Sequence, residues 1–76
     1  MITRRTVGKR VRLARHQLEL TQEQLAQRCG VTRQTIHLIE KDNYNPTLKV
    51  CLSLAHVLEK SLDELFWDDA PEGVTK

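Results

Sequence analysis

Apolar residues recur along this chain at intervals of three and four, and strand-like alternation is nearly absent. Val7, Val11, Ala14 and Leu18 form one helical stripe that leaves Lys9, Arg10, Arg12 and His16 outward, with Thr6 as its candidate N-cap and an end near Leu18 or Glu19. Thr21-Gln22-Glu23-Gln24 has the form of a capping box, so a second helix is expected from Gln22, with Leu25, Ala26 and Cys29 on its apolar side. Gly30 can take the left-handed conformation that ends one helix and redirects the chain into the next. Thr32 then caps a third helix, reaching about Lys41, whose apolar face gathers Val31, Ile36 and Ile39 before Asp42-Asn43-Tyr44-Asn45-Pro46 stops it. Thr47 opens a fourth helix with Leu48, Cys51, Leu52, Leu54, Ala55 and Leu58 as its apolar set. Ser61-Leu62-Asp63-Glu64 is a second capping box, and a short fifth helix turns Leu62, Leu65 and Phe66 inward. Residues 69–76 are acidic, carry proline and glycine, and read as a flexible tail. The pattern predicts an all-α class: one compact domain of five helices spanning residues 1–76.

A chain of 76 residues buries only roughly 60–65% of its unfolded surface, so its core is marginal and a second copy would help it. No apolar run approaches a membrane span, and Met1-Ile2-Thr3-Arg4-Arg5 lacks the hydrophobic segment of a signal peptide, which predicts a cytoplasmic protein without a membrane partner. Net charge is only +2, but its distribution is uneven. Residues 1–41 hold nine Lys and Arg against three Glu, a net +6, whereas residues 42–76 hold three Lys against seven acidic residues, a net −4. A basic half joined to an acidic half suits a phosphate backbone approached from one side.

Cys29 and Cys51 sit in separate apolar stripes without the spacing of zinc or redox motifs, and His16, His37 and His56 show no pair at i, i+4. No metal and no cofactor are expected. Nor does any nucleophile stand beside a base or any glycine-rich loop offer a phosphate cradle, so an enzyme is not expected either. A core this small spares no cavity, and no small-molecule effector is inferred.

The segment from Gln22 to Lys41, two short helical patterns hinged at Gly30-Val31 with Ala26 small enough for close packing, is the residue pattern of a helix-turn-helix. With Val7-Gly8-x-Arg10-Val11, Ala14-Arg15, Leu20 to Ala26, Gly30 to Ile36, Ile39-Glu40, Tyr44 to Leu48 and Ser61 to Phe66, the chain resembles the lambda-repressor/Cro-like (XRE) family of helix-turn-helix regulators over about residues 7 to 67. The stretch from Arg33 through Pro46 looks most like the short, stand-alone members of that family. Two departures are visible: glycine is frequent in the family where this chain has Glu19 and Glu59, each just past a helix end.

The resemblance implies that the third helix enters the major groove with its early residues on base edges. Here those are Arg33, whose fork matches guanine, Gln34, which suits adenine, and His37, with Leu38 facing a thymine methyl. Gln22 and Thr32 at helix starts, and Lys41, Asn43 and Tyr44 on the far side, are the expected phosphate contacts. By the same resemblance Arg15 and Glu40 form a structural ion pair. Phe66 and Trp67 are the expected dimer contact, with a lid of Trp67 over the first helix as the alternative. Three roles are open to the N-terminal arm: a DNA contact by Thr3-Arg4-Arg5, disorder, or a small two-stranded β-ribbon between Met1-Ile2-Thr3 and Phe66-Trp67-Asp68. The implied function is a sequence-specific transcriptional regulator, a homodimeric repressor on a palindromic operator in double-stranded DNA. An antitoxin or a restriction-modification controller of the same fold is the near rival, and a protein-interaction module without DNA the distant one.

Overall fold

Five helices succeed one another in the computed structural model, which describes residues 5–66: α1 Arg5–Gln17, α2 Gln22–Cys29, α3 Arg33–Glu40, α4 Leu48–Leu58 and α5 Leu62–Phe66. Expectations for the arm at residues 1–4, the terminal ribbon, Trp67 and the 69–76 tail lie outside the described residues. Among the described residues there is no strand, and no helix is long and apolar enough to cross a membrane.

Local chemistry sets the helix starts. Thr21 Oγ1 accepts from the Gln24 N–H at 3.0 Å while the Thr21 N–H donates to Gln24 Oε1 at 2.9 Å, a complete capping box. Thr32 and Thr47 each accept the N–H three residues on, at 3.2 Å. Ser61 and Glu64 form the second box, and the Ser61 N–H donating to the Glu64 carboxylate, helped by the charge of Lys60, holds that carboxyl below its usual range. Thr6 lies within α1, which already includes Arg5, and not at the N-cap position expected for it. Near the start of α1 the Gly8 N–H donates to Asp42 Oδ1 at 2.9 Å, a contact with the end of α3.

The ends of α1 to α4 share one device. Glu19, Gly30, Asp42 and Glu59 each take a left-handed conformation, with φ of 56°, 74°, 60° and 59°. The next N–H reaches back five residues in every case: Leu20 to Arg15, Val31 to Ala26, Asn43 to Leu38 and Lys60 to Ala55, all between 2.9 and 3.1 Å. This is the Schellman closure, usually built on glycine. The chain forms it three times out of four on acidic residues.

The core gathers Val11 and Ala14 from α1, Leu25 and Ala26 from α2, Ile36 and Ile39 from α3, Leu54, Ala55 and Leu58 from α4, and Leu65 from α5. Packing runs α3 on α1 and α2, α4 on α2, and α5 on α1 and α4. Leu48 and Leu52 are not part of it: they are 68% and 50% exposed. At 3.6 residues per turn they sit about 240° and 200° around the helix from Leu54, on the side away from α2. Cys29, Val31, Leu62 and Phe66 are half-buried and pack against the core from its edge.

Two tethers hold α3 to α1. Gly8 is buried against the last turn of α3, where a Cβ would land on the Glu40 carbonyl group, 2.7 Å from its carbon and 2.8 Å from the Ile39 oxygen. Deeper along α1, Arg15 donates through Nε to Glu40 Oε2 at 2.7 Å, through Nη2 to Glu40 Oε1 at 3.0 Å, and through Nη1 to the Leu20 carbonyl at 2.9 Å. The two side chains are 10% and 4% exposed, so the ion pair expected from the resemblance is bidentate and nearly dry.

Removing one partner of such a pair leaves a buried charge uncompensated. Arg15→Ala is expected to lose about 3–5 kcal/mol in urea unfolding, and a variant of unchanged stability would show the pair to be dispensable. Relief of the strained closure after α4 acts in the opposite direction. Glu59→Gly should raise stability by about 1 kcal/mol, measured by the same unfolding curves, because glycine takes the left-handed conformation without its Cβ penalty.

Candidate nucleic-acid interface

Because Ile36 and Ile39 turn α3 into the core, its opposite side is left to polar residues. Arg33, Gln34 and His37 are all exposed there and border one shallow cleft of about 150 Å³. The guanidinium fork offers paired donors for an acceptor pair such as guanine O6 and N7, and the amide offers one donor and one acceptor, the arrangement that matches adenine N6 and N7. Leu38 is half-buried at the rim of this side.

The Schellman closure after α3 sets the course of the loop. Asp42 N–H donates to the Ile39 carbonyl at 3.0 Å and Asn43 N–H to Leu38 at 2.9 Å, so the chain folds back on the helix end. Lys41, Asn43 and Tyr44 are thereby held exposed at that end, Tyr44 at 42%. At the other end Thr32, exposed, spends its hydroxyl oxygen on the Thr35 N–H and shares a 3.0 Å hydrogen bond with the Thr35 hydroxyl. Thr35 is not among the residues that the sequence pattern singles out, although its place three residues after a capping threonine is a usable signal.

Gln22, at the start of α2, is half-buried and its Nε2 donates to Glu40 Oε1 at 3.1 Å. That bond links α2 to the end of α3, and no local pattern announces it. The hinge between α2 and α3 rests on Gly30 at φ 74°, ψ 29°, with the half-buried Val31 next in the chain.

Elsewhere the chemistry is quieter. Burial pushes both the Cys29 and Cys51 thiols up, which lowers the thiolate fraction that a nucleophile or a metal ligand needs. Among the described residues no group of three His, Cys, Asp or Glu side chains could hold a metal ion. A larger surface cleft of about 380 Å³ opens where the 41–47 loop leaves α3, between Val7, Tyr44, Pro46, Cys51 and Phe66. It is a gap between elements at the surface, so this side of the molecule does have space that the small size of the core did not lead one to expect.

Comparison with known proteins agrees with this geometry. The helix-turn-helix family model matches residues 11–65. An uncharacterized HTH-type transcriptional regulator of Archaeoglobus fulgidus is 40% identical over 63 residues, covering 83% of this chain and 89% of its own. Among solved structures, the restriction-modification controller protein C.AhdI from Aeromonas hydrophila superimposes with a TM-score of 0.76 at 34% identity, over 80% of this chain and 92% of that one. The P22 c2 repressor in complex with a synthetic operator gives 0.79 at 30% identity, over 83% and 96%. The short turn at Gly30, the exposed polar side of α3 and these matches have one conclusion: the chain belongs to the helix-turn-helix family, among the lambda-repressor/Cro-like transcriptional regulators, which are DNA-binding proteins and not enzymes.

Proposed function

We propose that the protein is a repressor that binds a palindromic operator as a homodimer, with α3 of each copy in the major groove. The observation that carries this reading is the exposed polar side of α3, where Arg33, Gln34 and His37 stand opposite the buried Ile36 and Ile39. In this reading Arg33, Gln34, His37 and Leu38 meet base edges, while Gln22, Thr32, Lys41, Asn43 and Tyr44 meet the phosphate backbone. The likeness to the P22 c2 repressor, solved on an operator, supports it. The likeness to C.AhdI supports a second reading, control of a restriction-modification system, in which the DNA contacts are the same and the regulated genes differ.

Dimerisation is supported by apolar surface that the core does not use. Leu48 and Leu52 stand one turn apart and exposed on α4, flanking Cys51 in the chain. Cys51, Tyr44 and Phe66 border the larger cleft, so the start of α4 and the end of α5 share one side of the molecule. The proposed two-fold contact takes in Phe66, Trp67, Leu48 and Leu52, Trp67 itself lying outside the described residues. Two recognition helices would then read half-sites about 34 Å apart.

Selection of bound sequences from random duplex DNA tests the reading directly: inverted repeats with half-sites about one helical turn apart are expected, and recovery of single, unpaired sites would refute the dimer. On the selected duplex, Arg33→Ala and Gln34→Ala should each weaken binding by about 1–3 kcal/mol while leaving binding to random duplex nearly intact. Lys41→Ala should weaken both and reduce the salt slope by about one for each copy bound. Equal losses on selected and random DNA for Arg33→Ala would remove it from base reading.

A separate measurement addresses association. Leu52→Glu is expected to sediment as a monomer at micromolar concentration and to lose affinity for a two-half-site duplex, since a carboxylate in an apolar contact is desolvated without a partner. A variant that remains dimeric would move the interface away from α4.

A further inference from the structure

The last residue of the recognition helix touches the first residue of α2, and this contact joins two parts of the proposed DNA surface that are 18 residues apart in the chain. We infer that Glu40 is a positioning residue for DNA binding, one that acts by holding the Gln22 side-chain amide with a hydrogen directed at a backbone phosphate. The inference rests on the proposed reading that α3 lies in the groove of a duplex.

The chemistry of the acceptor fixes the orientation of the amide. Glu40 Oε1 receives Arg15 Nη2 at 3.0 Å and Gln22 Nε2 at 3.1 Å, while Oε2 receives Arg15 Nε at 2.7 Å. A carboxylate only accepts, so the nitrogen of the Gln22 amide, and not its oxygen, must face it. The Glu40 side chain is 4% exposed, which leaves water little access to compete for that oxygen. Of the two hydrogens on Nε2 one is spent on Glu40. The second is presented at the start of α2, where the backbone N–H groups of Gln22 and Glu23 have no acceptor within the helix. These donors belong to the first turn of α2, the positive end of a helix dipole. Arg15 neutralises Glu40 at contact distance, so the carboxylate orients the amide without repelling a phosphate nearby.

Without Glu40 the amide would be free to turn its oxygen outward, towards a phosphate that it cannot donate to. The ion pair therefore has two consequences: it fastens α3 to α1, and it sets the backbone grip of α2 in register with the base-facing side of α3. A purely structural pair would have only the first.

The test uses a random-sequence duplex of about 30 base pairs, long enough for a dimer's two half-sites about one helical turn apart, in low salt, with binding monitored by fluorescence anisotropy and urea unfolding measured on every variant. Gln22→Ala is expected to bind about threefold to tenfold more weakly for each half-site engaged, as for one lost hydrogen bond per copy, with an unchanged salt slope because a neutral amide displaces no counterion of its own. Glu40→Gln should lose a similar factor per folded molecule, and the double variant should bind no more weakly than either single one. Losses that multiply in the double variant would overturn the inference, since independent sites add in free energy. Should Glu40→Gln fail to fold, the wild-type protein supplies the answer by NMR. The Gln22 side-chain amide resonances should move on adding the duplex; a pair that stays still while Arg33 shifts would overturn the inference and leave DNA binding standing. A wild type that binds no duplex would overturn the DNA reading and the inference together.

Discussion

The orientation of α3 depends on how its last turn is held against α1. A helix of eight residues is too short to be stable alone, so its direction is set by what grips its ends and its apolar side. Ile36 and Ile39 supply the apolar grip, and the Arg15–Glu40 pair with the Gly8–Asp42 hydrogen bond supplies the polar one at the C-terminal end. Hydrophobic contacts are tolerant of small rotations. A bidentate guanidinium and a glycine with no room for a Cβ are not, and together they determine which side of α3 is left outward.

Such an arrangement is not the route to greatest stability. A dry ion pair gives up much of its Coulomb energy to desolvation, and apolar residues of similar volume can do as well or better. What it adds is direction, together with a connection to Gln22 that an apolar contact could not make. The acidic residues at the left-handed positions fit the same picture only in part. Asp42 uses its carboxylate to accept the Gly8 N–H, so its strained backbone is coupled to a tertiary contact, whereas Glu19 and Glu59 are exposed and nothing in the structure explains the choice of glutamate over glycine there.

The surface divides accordingly. Polar side chains cluster on α3 and the loop after it, while exposed apolar ones stand on α4 at Leu48 and Leu52 and on α1 at Leu13. A soluble monomer gains nothing from two large leucines one turn apart on one helix face, and a small domain with a limited core has much to gain from covering them.

Helix starts are legible in the sequence because capping is a matter of neighbours: Thr21 with Gln24, Thr32, Thr47, and Ser61 with Glu64 all cap where the pattern places them. The core of α1 to α3 is legible because only one apolar stripe exists on each. On α4 apolar residues occur at eight of eleven positions, so periodicity cannot say which stripe faces inward; contact with α2, α1 and α5 selects Leu54, Ala55 and Leu58 and leaves Leu48 and Leu52 outside. No local pattern announces the Gly8–Asp42 hydrogen bond either, since its two partners are 34 residues apart in the chain. By itself the sequence determined five helices, the N-caps of α2 to α5 and the polar residues of α3, all of which depend on interactions within a few residues. Which of those residues are held, and by what, was decided by the tertiary structure. The Glu40 carboxylate meets Arg15 and Gln22 only once three helices have packed.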